Sequence, residues 1–248
     1  MLEINSLVKS YGGILATDSL SFQVETGNLH AVIGPNGAGK TTLIQQISGE
    51  TKPDSGTIIF DGKDITQIPI HLRSALGLAR SFQITNIFSD MTTWDNVSLA
   101  VQAKTGHSFH FWKDARRDAE LRDPALVVLE QVGLSSRANI IAGQLSHGEH
   151  RQLEIAMALA TQPKMLLLDE PMAGMGQEES TAMVEILQGL KGKLTILLIE
   201  HDMDVVFTLA DQITVLVYGR KIATGFPEDI RKNPEVQAAY LGDGDSHA

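Results

Sequence analysis

Apolar and polar residues alternate in short runs through residues 1–65, and this period of two predicts strands at Leu2–Val8, Asp18–Val24 and Gly56–Phe60, with the short apolar run Leu29–Ile33 suited to a buried strand between them. Asp61-Gly62 closes the last of them as a turn, and Tyr11-Gly12-Gly13 reads as a loop between the first two. From Ile70 to Thr161 the spacing shifts to threes and fours. Helices are predicted over Ile70–Leu76, Thr93–Lys104, Phe111–Arg122, Pro124–Val132 and Gly148–Thr161, with Pro124 in the first turn of its helix and Gly133 ending it. Beyond Lys164 strands and helices alternate: Met165–Leu168, Glu178–Leu190, Leu194–Ile199, Met203–Leu209 and Ile213–Val217. Such alternation is the mark of a parallel sheet in an α/β fold, here with a helical subdomain inserted. The tail from Pro227 to Leu241 reads as two short helices, the second opened by Pro234, and the last seven residues read as frayed.

One stretch changes this picture from architecture to chemistry. Gly34-Pro35-Asn36-Gly37-Ala38-Gly39-Lys40-Thr41 fits the phosphate-binding pattern G-x-x-x-x-G-K-[ST] at every fixed position, after the buried-strand run Leu29–Ile33 and before a helix that continues through Thr42. Glycines there let backbone N–H groups turn onto a phosphate chain, and the helix N-terminus adds the positive end of its dipole. Lys40 is placed to reach the β- and γ-phosphates and Thr41 to offer its hydroxyl to Mg²⁺. A Gly-rich turn matching by accident would be found in roughly one chain in a hundred of this length.

Further candidates stand at strand ends in the second half. Asp169 and Glu170 follow the strand ending at Leu168, and Glu200-His201-Asp202 follows the strand ending at Ile199. Ligands of open α/β sheets bind at that edge, so one acid can hold Mg²⁺, the other can deprotonate a water, and His201 can bond a γ-phosphate. Solvated turn acids and an incidental histidine are the plainer alternatives. Leu145-Ser146-His147-Gly148-Glu149 opens a helix, where Ser146 and the Gly148 backbone can form a second anion site or Ser146 can act as a simple cap. Gln83, a polar residue within Arg80–Phe88, reads by itself only as part of a loop. Tyr11 could stack on a base, although without the P-loop downstream an ordinary packed loop aromatic is the favoured reading of a lone Tyr.

Composition narrows the class. The chain has 248 residues, 43% hydrophobic and 20% charged, as expected of one large globular domain or of one with an inserted subdomain. No run approaches the ~20 apolar residues of a spanning helix, the N-terminus lacks the basic and apolar regions of a signal peptide, and cysteine is absent, so a cytoplasmic protein without disulfides is expected. A net charge of −10 argues against binding nucleic acid through its backbone, and Arg116-Arg117 fits a solvated helix face.

Taken together these residues resemble the ATP-binding subunit of ABC transporters, over essentially the whole chain. The resemblance implies an α/β P-loop NTPase fold: a mixed core sheet, an N-terminal antiparallel β subdomain and an inserted helical subdomain. Residues 1–85 and 162–248 would form the nucleotide-binding core and 86–161 the helical subdomain. It makes Gly34–Thr41 the Walker A motif, Thr42 a further phosphate contact, Met165–Asp169 the Walker B strand and Glu170 the catalytic base. It also makes Gln83 a metal- and water-contacting Q-loop residue, Leu145–Glu149 the signature motif, Tyr11 the adenine-stacking aromatic and His201 the switch histidine. Leu78–Gln83, Ser146–Glu149 and Ala239-Tyr240-Leu241-Gly242 look like the branched-chain amino-acid uptake subfamily, with urea importers as near relatives. That likeness implies ATP and Mg²⁺, a second ABC ATPase subunit, two transmembrane permease subunits, an extracytoplasmic solute-binding protein and a place at the cytoplasmic face of the membrane.

Three positions depart from the superfamily pattern: His147 replaces a glycine, Glu149 a glutamine, and Gly176 stands where an aspartate is usual. A soluble ABC-type ATPase acting on DNA or ribosomes is the competing function, opposed by the missing cysteines, the acidic charge and the single P-loop. A P-loop switch or kinase would leave Gln83 and the Ser146 motif without a role.

Overall fold

A computed structural model describes residues 1–80, 87–105 and 119–241. In chain order these form β1 (Leu2–Tyr11), β2 (Ile14–Val24), β3 (Leu29–Ile33), α1 (Lys40–Ser48), β4 (Ser55–Phe60), β5 (Lys63–Asp64), α2 (Ile70–Ala75) and β6 (Leu78–Arg80). There follow α3 (Thr93–Thr105), α4 (Ala119–Gln131), α5 (His147–Ala160), β7 (Met165–Asp169), α6 (Gln177–Leu190) and β8 (Thr195–Ile199). The chain ends with α7 (Met203–Leu209), β9 (Gln212–Val217), β10 (Arg220–Gly225), α8 (Pro227–Lys232) and α9 (Pro234–Leu241). Contacts divide them into two compact units: 1–78 with 165–170 and 191–248, and 79–164 with 171–190. Gln83, most of the expected helix Phe111–Arg122 and the last seven residues lie outside the described residues.

The strands form two sheets. β2-β1-β4-β5 is antiparallel, and the second sheet runs β10-β9-β3-β8-β7-β6. Within the second, β3 is parallel to β8 and β9, β7 is parallel to β8, and β10 turns back antiparallel on β9, which makes the sheet mixed. Every residue of β3, β7 and β8 is buried, as expected of parallel strands covered on both faces. One face of this sheet (Val32, Leu167, Leu197, Ile199), the inner face of the antiparallel sheet (Leu2, Ile4, Phe22, Ile58) and α1 (Leu43, Ile44, Ile47) share one core. Burying each of those three α1 side chains contributes about 1.5–3 kcal/mol, so the helix that starts at Lys40 is anchored from beneath.

Its far end is held by an unusual partner. Gly49 caps α1 with φ +89°, and the Arg73 guanidinium, 1% exposed, donates to the Gln46 and Ile47 carbonyls at 2.7 and 2.8 Å and to those of Ile68 and Thr66 at 2.7 and 3.0 Å. A cation over the last carbonyls of a helix satisfies groups that have no intrahelical partner. A Cβ at Gly49 would sit 2.8 Å from Arg73 Nε, so the glycine also makes room for it.

Local differences from the sequence reading have simple causes. Tyr11 is not a loop residue: β1 runs through it and pairs it with Ile14 across the turn Gly12-Gly13, with Gly12 at φ +61°. β10 was not foreseen, because its half-exposed pattern carries little apolar signal. α4 begins at Ala119, so Pro124 lies inside it and forgoes one backbone bond rather than opening the helix. Gly133, at φ +75°, does end α4, with Leu134 N–H on the Leu129 carbonyl at 2.8 Å and Gly133 N–H on that of Glu130 at 3.1 Å.

β3 also carries a fully buried imidazole. His30 Nε2 lies 2.8 Å from Thr214 Oγ1, its ring packs on Phe22, and burial pushes its pKa from 6.5 down to about 4. The unfolded chain therefore binds the proton that the folded chain refuses. His30 contributes stability that is complete above pH 6.5 and is lost as pH falls toward 4, about 3 kcal/mol in all. Urea unfolding at pH 7 and pH 4.5 should show His30→Leu losing less stability than the wild type over that interval; equal losses would refute this account.

Candidate functional site

β3 delivers the chain into Gly34, and α1 leaves from Gly39, so the loop between them is clamped at both ends by buried structure. A Cβ at Gly34 would meet the Leu216 carbonyl oxygen at 2.1 Å, and one at Gly39, where φ is +98°, would meet that of Ala16 at 2.0 Å. The loop is thus walled by β2 and by β9 and the turn after it, whose Gly219 N–H donates to the Ala38 carbonyl at 3.0 Å. No side chain caps α1 at Gly39, which leaves the first helical N–H groups, those of Lys40, Thr41 and Thr42, free of a side-chain cap. Pro35 is half-buried, Ala38 buried, and Asn36, Gly37 and Thr41 are exposed. Lys40 Nζ folds back on its own loop, donating to the Gly34 and Pro35 carbonyls at 2.6 and 3.1 Å. Burial lowers its pKa, while the charges of Glu170 and Asp169 act in the opposite direction. This is a cationic, backbone-lined cradle with two carboxylates close enough to be felt electrostatically.

Those carboxylates stand where β7 stops. Asp169 is buried as its last residue and pairs with Ile199 of β8. Glu170 then turns sharply, with φ +48°, while its N–H stays on the Ile199 carbonyl at 2.9 Å. A left-handed backbone at a non-glycine costs of order 1–3 kcal/mol and is characteristically stored at functional sites. The turn brings Glu170 Oε1 to 4.0 Å from His201 Nδ1, both side chains being accessible at 40% and 64%. Glu200, 1% exposed, approaches the same ring nitrogen at 3.7 Å and accepts from the His201 backbone N–H at 3.2 Å. Sequence reading passed over Glu200; its position at a strand end beside His201 was the available signal.

The remaining candidates lie apart from this group in the chain. Tyr11 projects from the β1–β2 hairpin, half exposed, with the Lys9 ammonium 5.5 Å from its ring centre. Ser146 and Gly148 belong to the second unit, at the start of α5. Ser146 caps the helix by accepting from Glu149 N–H at 3.2 Å, and Glu149 returns the bond to Ser146 N–H at 2.9 Å while pairing with Arg137 at 2.7 Å. The residue that departs from the usual glutamine thus serves the helix cap. His147 turns its Nε2 to the Ala173 carbonyl at 3.2 Å. Among the described residues no cluster of three or more metal-ligating side chains exists, and no helix is long and apolar enough to cross a membrane.

A family profile described as "ABC transporter" matches residues 17–173, more than half of the chain. The chain belongs to the ABC transporter family. A second profile, "Branched-chain amino acid ATP-binding cassette transporter", matches residues 220–246 of the cassette. The high-affinity branched-chain amino acid transport ATP-binding protein LivG of Salmonella typhimurium is 39% identical over 98% of both chains. BraF of Pseudomonas aeruginosa, named in the same words, is 38% identical over the same share. Among solved structures, the ADP conformation of MJ1267, an ATP-binding cassette of an ABC transporter, superposes with a TM-score of 0.85 at 32% identity, with 98% of each chain covered. As an ABC cassette the protein binds nucleotide and hydrolyses ATP, as the ATP-binding component of a transport system.

Proposed function

We propose that this cassette powers uptake of branched-chain or other hydrophobic amino acids, as one of a pair of ATPase subunits under two permeases served by an extracytoplasmic solute-binding protein. The observation that carries the solute class is the agreement of the C-terminal profile at residues 220–246 with relatives matched from end to end. Its place is the cytoplasmic face of the membrane, as a peripheral subunit.

Within the site, the backbone N–H groups of the loop from Gly34 to Thr42, Pro35 having none, hold the phosphates and Lys40 leaves its own loop carbonyls for them. The Thr41 hydroxyl and the Asp169 carboxylate are the groups suited to Mg²⁺, with Gln83 a third; the ion, when bound, neutralises charge on the phosphates. Glu170 takes the proton of the attacking water, and His201, whose Nδ1 lies near both Glu170 and Glu200, bonds the γ-phosphate. Tyr11 stacks on the adenine. Ser146 and Gly148 complete the site of the other subunit rather than their own. That last step rests on the anion-binding character of a helix N-terminus that lies far along the chain from Lys40, beyond the helical stretch.

The test is uptake by intact cells. Deleting the gene should abolish high-affinity uptake of radiolabelled leucine, isoleucine or valine while leaving urea uptake unchanged, with rescue by the wild type and not by Lys40→Ala. Loss of urea uptake with normal amino-acid uptake would overturn the assignment.

A further inference from the structure

The anion-binding end of α5 already holds an anion, and it comes from the same chain. Glu179, in the first turn of α6, places Oε1 3.0 Å from Ser146 Oγ and 3.2 Å from Gly148 N, while its Oε2 accepts from Gly176 N–H at 3.3 Å. One carboxylate thus takes up donors from the start of two helices. Gly148 is shaped around it: a Cβ there would lie 2.6 Å from both Cδ and Oε1 of Glu179. These bonds, that from Ser146 first, hold the carboxyl below its ordinary pKa, so it stays ionised.

The geometry points to Glu179 as an intramolecular latch that occupies the phosphate-binding end of α5 and must leave before a nucleotide phosphate can dock there. The inference rests on the reading that Ser146 and Gly148 serve the other subunit's nucleotide. The same two donors cannot satisfy a carboxylate oxygen and a phosphate oxygen at once, so the two anions compete. A terminal phosphate brings more charge and three acceptor oxygens, and it therefore displaces the carboxylate once nucleotide is present. The bond to Gly176 gives the displaced group somewhere to stay. Nothing would lie within 4 Å of a Cβ at Gly176, so the backbone beside that N–H is uncrowded. Gly176 stands where an aspartate is usual, and a carboxylate there would crowd that resting place with like charge.

A latch of this kind weakens nucleotide-driven closure in proportion to the fraction of time it is shut. If the pocket is open about a tenth of the time, apparent affinity falls about tenfold. The experiment measures ATP hydrolysis, without solute, by the transporter reconstituted in vesicles with its permease and companion ATPase subunits. Glu179→Ala should lower the ATP concentration for half-maximal rate about tenfold. Glu179→Gln, of the same shape but neutral, should lower it less, because charge-assisted bonds are roughly twice as strong as neutral ones. Thermal unfolding of each variant checks that the fold is intact, and the Gln variant keeps the contact shape if Ala proves unstable. Unchanged or raised half-saturation in both variants, with Ser146→Arg still abolishing turnover, overturns the latch and leaves the two-chain reading standing. Wild-type turnover in Ser146→Arg overturns that reading and the latch with it.

Discussion

Glu170→Gln is expected to retain ATP binding and to hydrolyse ATP about 10²–10⁴-fold more slowly, the usual cost of removing a general base. The substitution is isosteric and disturbs little else. The backbone N–H that fixes the turn stays on Ile199, and the φ of +48° is no harder for Gln than for Glu. Asp169 and Lys40 keep their places beside the cradle, so the metal and phosphate contacts survive. Nor can a neighbouring carboxylate stand in: Glu200 is 1% exposed and so shut off from solvent, whereas the Glu170 side chain, 40% exposed, is open to the water that must be activated. The measurement is single-turnover hydrolysis by the assembled transporter, with bound nucleotide quantified in parallel. Turnover near that of the wild type, with binding intact, would sink the assignment of Glu170 as the base.

What could be read in advance follows the range of the interactions involved. The Gly34–Thr41 cradle was legible because its requirements are local: a buried strand, glycines where the backbone must approach other chain segments, and a helix start. Asp169, Glu170 and His201 were legible because a strand end fixes which sheet edge they occupy. Arg73 was not, since its role depends on four carbonyls in two segments that meet only in the fold, and from the sequence it is one more helical arginine. Glu179 was hidden for the same reason. It reads as an ordinary acid in a helix first turn, and only the packing of α6 against α5 brings it onto Ser146. Of the two readings of Ser146, the helix cap is present in the structure, and the hydroxyl also donates to the Glu179 carboxylate.

Gly39→Ala is expected to weaken ATP binding at least ~100-fold, about 2.8 kcal/mol at 1.4 kcal/mol per tenfold, while Gly37→Ala costs about tenfold or less. Both glycines have positive φ, +98° and +77°, so alanine carries left-handed strain of roughly 1–2 kcal/mol at either position. They differ in what lies beyond. A Cβ at Gly37 meets nothing within 4 Å, whereas one at Gly39 lands 2.0 Å from the Ala16 carbonyl oxygen. That wall cannot retreat cheaply. Thr17, next in the chain, is fully buried and bonded to Gln46 of α1 at 3.2 Å, and Asp18 N–H is tied to the Gly219 carbonyl at 2.9 Å. The loop must move instead, and with it the Lys40 ammonium and the N–H groups that open α1. Sub-ångström preorganisation of those donors is what the cradle supplies, so affinity should suffer more than stability. Equilibrium binding of ATP to the full chain, with urea midpoints for both variants, separates the two. Equal losses of affinity at Gly37 and Gly39 would show that backbone strain alone governs the loop and that contact with Ala16 does not.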